Sequence, residues 1–432
     1  MSRSFLPRGV LPRFKEMLAA APVVVLEGPR ASGKTALGEM LESAGLMAAR
    51  VDLGDPTLLA AAVASPSSFV DNLRVPAFID EAQLVPELPL AIKRRVDTEG
   101  RKGMFVLTGS SRLGRAQLGG SDPLAGRALR QRLWPMTQAE LAGSPVNLVQ
   151  SLFDRKPLPA APRGARIGKT DLIARIRRGG LPGMAGVTGS VEPLLRGQLM
   201  QEYVEGVLFH EVGRRHDRAE MLRMFRYLAA STARIANLSA IGNDLKTSRI
   251  TVGERLASLD ASFLLHQLAG HRSSEHRTLT AHPKIHAVDC GLAAWAARLD
   301  DEAPAAVFGA LLESFVVGEL AAQASWVFPG ETLRHWRDTT RKLEVDAMIL
   351  HPDGSALAVE VKAGEDVRPD DLKGLRACLA DTEAVRGVVL YGGAMVLQLE
   401  ENIWAVPVTS LWTGLMEEPR RSTKRRGVAP PR

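Results

Sequence analysis

Cysteine is nearly absent: Cys290 and Cys378 are the only two in 432 residues, far apart and without metal-ligand spacing. This excludes a disulfide framework and a cysteine metal centre, and it fits a reducing cytoplasm, the compartment expected for the chain. Aromatic residues make up only 5%. No strand face is rich in them, which removes the stacking platform that holds single-stranded nucleic acid. Near the amino terminus the longest apolar stretch, residues 17–26, is too short to span a bilayer and contains Pro22, so no membrane or secretory segment is expected. Acids are missing from the last thirteen residues, where Arg420, Arg421, Lys424, Arg425, Arg426 and Arg432 supply six of the net +7 charges and leave residues 1–419 at +1. The high pI is therefore a tail property. Residues 417–432 read as a basic disordered tail, either solubilising or attracted without specificity to nucleic acid and anionic surfaces.

What is present is enough apolar material, 45% of 432 residues, for two to four packed domains. An apolar β-branched run at 22–26 leads into Gly28-Pro29-Arg30-Ala31-Ser32-Gly33-Lys34-Thr35, a full match to the phosphate-loop pattern G-x-x-x-x-G-K-S/T. The glycines let backbone N–H groups cradle phosphates, Lys34 reaches the β and γ oxygens, and the Thr35 hydroxyl is placed to ligate Mg²⁺ at the start of a helix over 35–44. The run 77–83, AFIDEAQ, reads as a buried strand ending in paired acids, with Asp80 on the metal and Glu81 on the attacking water. A further strand at 104–107 ends in Thr108, Gly109, Ser110 and Ser111; Thr108 and Ser110 suit contact with the γ-phosphate or the water.

Strand candidates at 23–26, 48–53, 77–79, 104–107 and 129–134 alternate with helical stretches, which predicts a doubly wound α/β parallel sheet with nucleotide at the carboxyl ends of its strands. The expected organisation is an ATPase domain at 1–142, a proline-rich connector at 143–168, a helical region at 169–282, a second α/β domain at 283–416, and the tail. Helical patterns at 219–231, 235–245 and 248–259, then an apolar strand at 262–268, suggest a winged helix-turn-helix with its wing at 270–280. In that reading Lys246, Thr247, Ser248, Arg249 and Arg255 face DNA phosphates or bases.

The carboxyl-terminal third places Glu313 on a helix, Asp346 at the head of one strand, and Glu360 and Lys362 on the same face of the next. This order is that of a metal-dependent phosphodiesterase: Asp346 and Glu360 bind Mg²⁺ or Mn²⁺, Glu313 completes the shell, and Lys362 orients or deprotonates water. The same core also serves in proteins that bind without cutting.

Taken in order, AFIDEAQ, FVLTGSSR, LAGRALRQRLWPMTQAEL, RRGGLPGM, HPKIHAVDCGL, LLESFVVGEL, WRDTTRKLEVDAMI and AVEVKAG resemble the bacterial and archaeal AAA-type (AAA+) ATPases that carry a carboxyl-terminal domain of unknown function with a restriction-endonuclease-like core. The resemblance extends to about residue 415. It implies an AAA+ module using ATP and Mg²⁺, a middle winged helix and a nuclease-like end. It also implies that Arg127, after Gly126, brings positive charge to a γ-phosphate, in trans as an arginine finger of a homo-oligomeric ring or in cis as a sensor. The expected function is an ATP-hydrolysing motor or switch on duplex or branched DNA, of repair or recombination type. The alternatives are a regulatory ATPase that binds a protein partner, and an ATP-regulated endonuclease.

Overall fold

Strand β1 (Val23–Glu27) is buried along almost its whole length, and alternate residues serve opposite faces: Val24 and Leu26 join one apolar cluster, Val23 and Val25 another. A strand apolar on both faces belongs inside a parallel sheet covered by helices on each side. The structure, a computed structural model, describes residues 5–110, 122–153, 158, 167–186, 192–212, 217–271 and 282–415. With β2 (Ala49–Asp52), β3 (Ala77–Asp80), β4 (Phe105–Gly109) and β5 (Ala128–Arg132), β1 forms an all-parallel sheet of order β2-β3-β4-β1-β5. One strand, β4, thus separates the phosphate-loop strand from the strand that carries Asp80. The doubly wound parallel sheet expected from sequence is observed, with strand limits that differ by a residue or two.

The middle region runs from helix Arg218–Ala230 through β6 (Arg234–Ile235), helices Leu238–Leu245 and Arg249–Ala261, β7 (Leu265–Leu268), β8 (Gly270–His271) and β9 (Lys284–Ala287). The Asp217, Asn237 and Ser248 side chains cap these three helices by accepting from backbone N–H groups of their first turns. Strands β6, β9 and β7 make a small antiparallel sheet. Most of the expected wing lies outside the described residues, and β8 pairs instead with the large sheet.

That large sheet is built from β10 (Leu333–Asp338), β11 (Leu343–Leu350), β12 (Ala356–Lys362), β13 (Ala384–Tyr391), β14 (Leu397–Glu400) and β15 (Ile403–Pro407), in the order β14-β15-β13-β12-β11-β10-β8. β10, β11 and β12 are antiparallel neighbours; β12, β13 and β15 are parallel. Helix Ala305–Ser325 packs on β11 and β12 with Leu357 and Val359, while helix Lys373–Asp381 covers the other face with Ala358 and Met348. Ala305–Ser325 is predominantly apolar and long enough to cross a membrane, but it is a core helix, mostly buried against other elements of the chain.

Strand β9, assigned by sequence to the carboxyl-terminal domain, completes the middle sheet, because its backbone bonds go to β6 and β7. The connector at 143–168 is not featureless: helix Leu148–Phe153 docks on Ala305–Ser325, where Gln323 Oε1 accepts from Leu148 N at 2.7 Å and Gln323 Nε2 donates to the Leu411 carbonyl at 2.9 Å. The tail at 417–432 lies outside the described residues. A single cluster of buried apolar side chains runs from Val10 to Leu411 through all parts of the chain. Gln323→Leu strands two buried backbone groups, so we expect a loss on the order of 1–3 kcal/mol for each, measured as a lowered denaturant midpoint.

Candidate functional site

The phosphate loop has the backbone its ligand needs. A side chain at Gly28 would stand 2.3 Å from the Leu133 carbonyl oxygen, and Gly33 adopts φ +97° where it starts helix Lys34–Ser43. Lys34 Nζ donates to the Gly28 and Pro29 carbonyls at 2.9 and 2.8 Å. Phosphate oxygens are stronger acceptors for an ammonium than amide carbonyls. The Ser32 hydroxyl is buried without a hydrogen-bond partner, a polar group left over beneath the loop. In front lies a cavity of about 570 Å³ lined by Ala31, Gly33, Lys34, Thr35, Glu39, Glu81 and Gly183 among others. These features fit a nucleoside triphosphate.

Behind the loop is a residue that sequence reading missed. Arg8, 7% exposed, donates to the Ser32 carbonyl at 2.7 Å, the Trp134 carbonyl at 2.9 Å and Glu140 Oε1 at 3.0 Å. Glu140, fully buried, also accepts from Gly9 N and Thr137 N. An isolated arginine whose carboxylate partner lies 132 positions away leaves no local signal.

Asp80 ends β3 fully buried. Its Oδ2 accepts from Thr35 Oγ1 at 2.6 Å, and its Oδ1 from Thr108 Oγ1. Thr35 and Asp80 are thus brought together where a Mg²⁺ ion would be held. Glu81 adopts φ +54°, an arrangement uncommon for a side-chain-bearing residue and typical of functional sites. Its carboxylate accepts from Gln83 Nε2 and Ser110 Oγ, the latter at 3.4 Å, and Gln83 Nε2 also donates to Ser110 Oγ at 3.1 Å. Gln83 is a positioning residue that the sequence reading passed over.

Gly183, which follows the connector, also lines the cavity. Asp289, fully buried, accepts from Gly180 N at 2.7 Å, Gly291 N at 2.9 Å and Leu292 N at 3.2 Å; burial raises its pKa, opposed by these N–H groups. It thereby fixes the turn that leads to Gly183. Tyr203 donates to the Arg30 carbonyl at 3.0 Å.

Several expected site residues stand elsewhere. Arg127 precedes β5, which pairs with β1 from Val23 onward, so it sits at the end of the sheet opposite the phosphate loop, bound to Asp97 at 2.5 and 3.0 Å. The in-cis sensor role is thereby corrected: β1 itself, five residues long and ~3.3 Å per residue, separates Arg127 from the phosphates of its own chain. Nearby basic side chains are engaged within the chain: Arg94 pairs with Asp71, Arg95 with Glu99 and Arg130 with Glu27 and Asp122, while Arg132 stacks over Trp134 at 3.9 Å. Lys246, Ser248 and Arg249 are exposed and Thr247 half-buried. Arg255 is corrected as a DNA contact, because it is turned inward onto Glu220 at 3.1 Å.

Glu313, Asp346, Glu360 and Lys362 do converge, but a fifth residue stands among them. Lys284 on β9, 2% exposed, donates to Glu313 Oε1 at 2.8 Å and Asp346 Oδ1 at 3.2 Å. Asp346 Oδ2 accepts from Val361 N at 2.9 Å, and Glu360 Oε1 pairs with Lys362 Nζ at 2.8 Å. Burial and the Asp346 charge push Glu313 and Glu360 up to about 8. Burial opposes the Lys284 charge, yet Asp346 and Glu313 raise its pKa on balance. Among the described residues no three His, Cys, Asp or Glu side chains are grouped to hold a metal ion. Lys284 Nζ thus stands between Glu313 and Asp346, two of the three acids expected to bind a metal, and Lys362 faces Glu360 and Asp371.

Residues 20–142 match the family described as an AAA domain, 169–303 a domain of unknown function (DUF8612), and 308–411 another (DUF4143). Two proteins described as uncharacterized, Mb2031c of Mycobacterium bovis and Rv2008c of Mycobacterium tuberculosis, are each 26% identical over 417 residues, 95% of this chain and 86% of theirs. Among solved structures, two variants of RuvB from Thermotoga maritima are similar at 18% identity and a TM-score of 0.27, covering 60% and 61% of this chain and 88% and 90% of theirs. The AAA-domain match, with the geometry of the loop and of Asp80, supports an AAA-type P-loop ATPase domain in the amino-terminal part, a family whose use of ATP and Mg²⁺ these residues fit.

Two substitutions separate binding from hydrolysis. Lys34→Ala should abolish nucleotide binding in a fluorescent-nucleotide titration. Glu81→Gln should bind ATP normally yet turn it over ~10²–10⁴-fold more slowly, the usual range for losing a general base; unchanged turnover would assign the base elsewhere.

Proposed function

We propose that the chain is an ATP-driven switch of the cytoplasm that acts on duplex or branched DNA, in the manner of repair or recombination factors. The observation that carries this reading is the chain path over 218–287: helix, strand, helix, helix, then two strands that close a three-stranded antiparallel sheet. This is the order of a winged helix-turn-helix, and it leaves the start of helix Arg249–Ala261 in solvent with Lys246, Ser248 and Arg249 exposed.

Bound ATP with Mg²⁺ supplies the hydrolysable phosphoanhydride. Lys34 would neutralise phosphate charge, and Thr35 and Asp80 would hold the metal. Glu81, held by Gln83 and Ser110, polarises the attacking water, while Thr108 ties Asp80 to β4. Gly183 at the cavity wall connects occupancy to the middle region through Asp289. In a homo-oligomer Arg127 would serve the neighbouring subunit's nucleotide, which requires it to leave Asp97.

A second reading, a regulatory ATPase with a protein partner, is favoured by one observation: Ile250 is 74% exposed on the same helical turn, while Arg249 and Arg255 are balanced on that helix by Glu254 and Asp260. An ATP-regulated endonuclease would need the Glu313, Asp346 and Glu360 cluster to hold Mg²⁺ or Mn²⁺, and Lys284 stands against it.

The deciding experiment is steady-state ATP hydrolysis with single-stranded, duplex and branched DNA at two salt concentrations, using Lys34→Ala as the blank. We expect stimulation by one DNA form that fades at the higher salt. Lys246→Ala and Arg249→Ala should each weaken that stimulation and lower the salt slope by about one for every phosphate no longer neutralised. Hydrolysis indifferent to every DNA would select the protein-partner reading.

A further inference from the structure

The Glu313, Asp346 and Glu360 cluster lies at the point where β11 and β12 meet helix Ala305–Ser325, and the side chain that enters it comes from another sheet. Lys284 belongs to β9, which hydrogen-bonds to β6 and β7. Its side chain crosses to the large sheet and ends between Glu313 and Asp346. At 2% exposure it is among the largest fully buried side chains of the protein.

We propose that Lys284 is the resident cation of this cluster, a tethered ammonium standing where a metal-dependent phosphodiesterase would hold its divalent ion, so that the carboxyl-terminal part binds rather than cuts. The contacts have the length and direction of N–H···O bonds, at 2.8 and 3.2 Å, whereas Mg²⁺ binds carboxylate oxygens at about 2.0–2.1 Å. Of the remaining carboxylate oxygens, two are already engaged. Asp346 spends its second oxygen on Val361 N, and Glu360 shares one oxygen with Lys362 while its Oε2 is buried with no hydrogen-bond partner. A cation carried on the chain does not dissociate into bulk solvent; its effective concentration, on the order of millimolar or above, rivals that of any free ion. Removing one member of such a buried group leaves opposite charge unpaired, while removing both restores balance.

The test is Mn²⁺ binding to the nucleotide-free full chain, read from the paramagnetic signal of free Mn²⁺. Wild type and Asp346→Asn should take up Mn²⁺ alike; one extra equivalent in wild type that Asp346→Asn loses would overturn the proposal. Lys284→Met should gain a Mn²⁺ site at least about tenfold tighter than anything wild type shows there, and adding Asp346→Asn should remove it. A folded Lys284→Met protein with no gain would count against the lysine as the cation. Should Lys284→Met fold poorly, the denaturant midpoints of both single variants and the double variant decide: partial recovery in the double supports the proposal, and simple additivity overturns it.

Discussion

The buried carboxylate of Asp289 is the constraint on which the arrangement of the chain around the nucleotide depends. It gathers backbone N–H groups from two separated stretches, Gly180 on the turn toward the nucleotide cavity, and Gly291 and Leu292 at the start of the next helix. Close backbone contacts surround it. A side chain at Gly180 would strike the Met136 carbonyl oxygen at 2.2 Å, and one at Gly179 would strike Asp289 Oδ1 at 2.4 Å. The turn therefore accepts only glycine on geometric grounds, and it delivers Gly183 to the cavity in a defined position. Glu140 and Gln323 act in the same way elsewhere, each satisfying backbone groups that no secondary structure would otherwise pair. Long-range polar contacts of this type, rather than independent domain cores, set how the three parts of the chain meet.

The parallel sheet and its nucleotide loop were legible in the sequence because their determinants are local. A β-branched run, glycines at fixed offsets and a strand ending in acids are all contained within a few residues, and Thr35, Asp80 and Glu81 fall where the spacing places them. The three helices between 218 and 261 were legible for the same reason, since Asp217, Asn237 and Ser248 stand at their starts, whereas β6 overlaps the start of an expected helix and the pairing of β9 left no local signal. The in-cis role of Arg127 failed for a different reason. Its position along the chain says nothing about which end of a strand faces the phosphates, and only the register of Val23 against Ala128 decides that.

The acid cluster shows a deeper limit. Glu313, Asp346, Glu360 and Lys362 follow one another in an order associated with metal catalysis, and the fold does bring them to one place. Order and convergence still leave open what sits at the centre. Lys284 lies in a stretch whose hydrophobic neighbours announce only a short strand, and its reach into a different sheet has no periodic signature. Gln83 lies inside the acid motif itself, and the spacing that identifies the acids carries no signal for the amide that holds one of them.

Helix Ala305–Ser325 belongs to the apolar cluster that includes Val24 and Phe78 of the first sheet, Phe225 and Leu256 of the middle region, and Leu357 and Val406 of the large sheet. A hinge that swung any of these parts away would uncover this shared surface, at about 25 cal/mol for every Å² of apolar area exposed. Sliding keeps the surface covered. The architecture therefore disfavours rigid-body opening and leaves shear between packed faces, together with rearrangement of the glycine turns, as the low-energy route by which the nucleotide cavity can change shape.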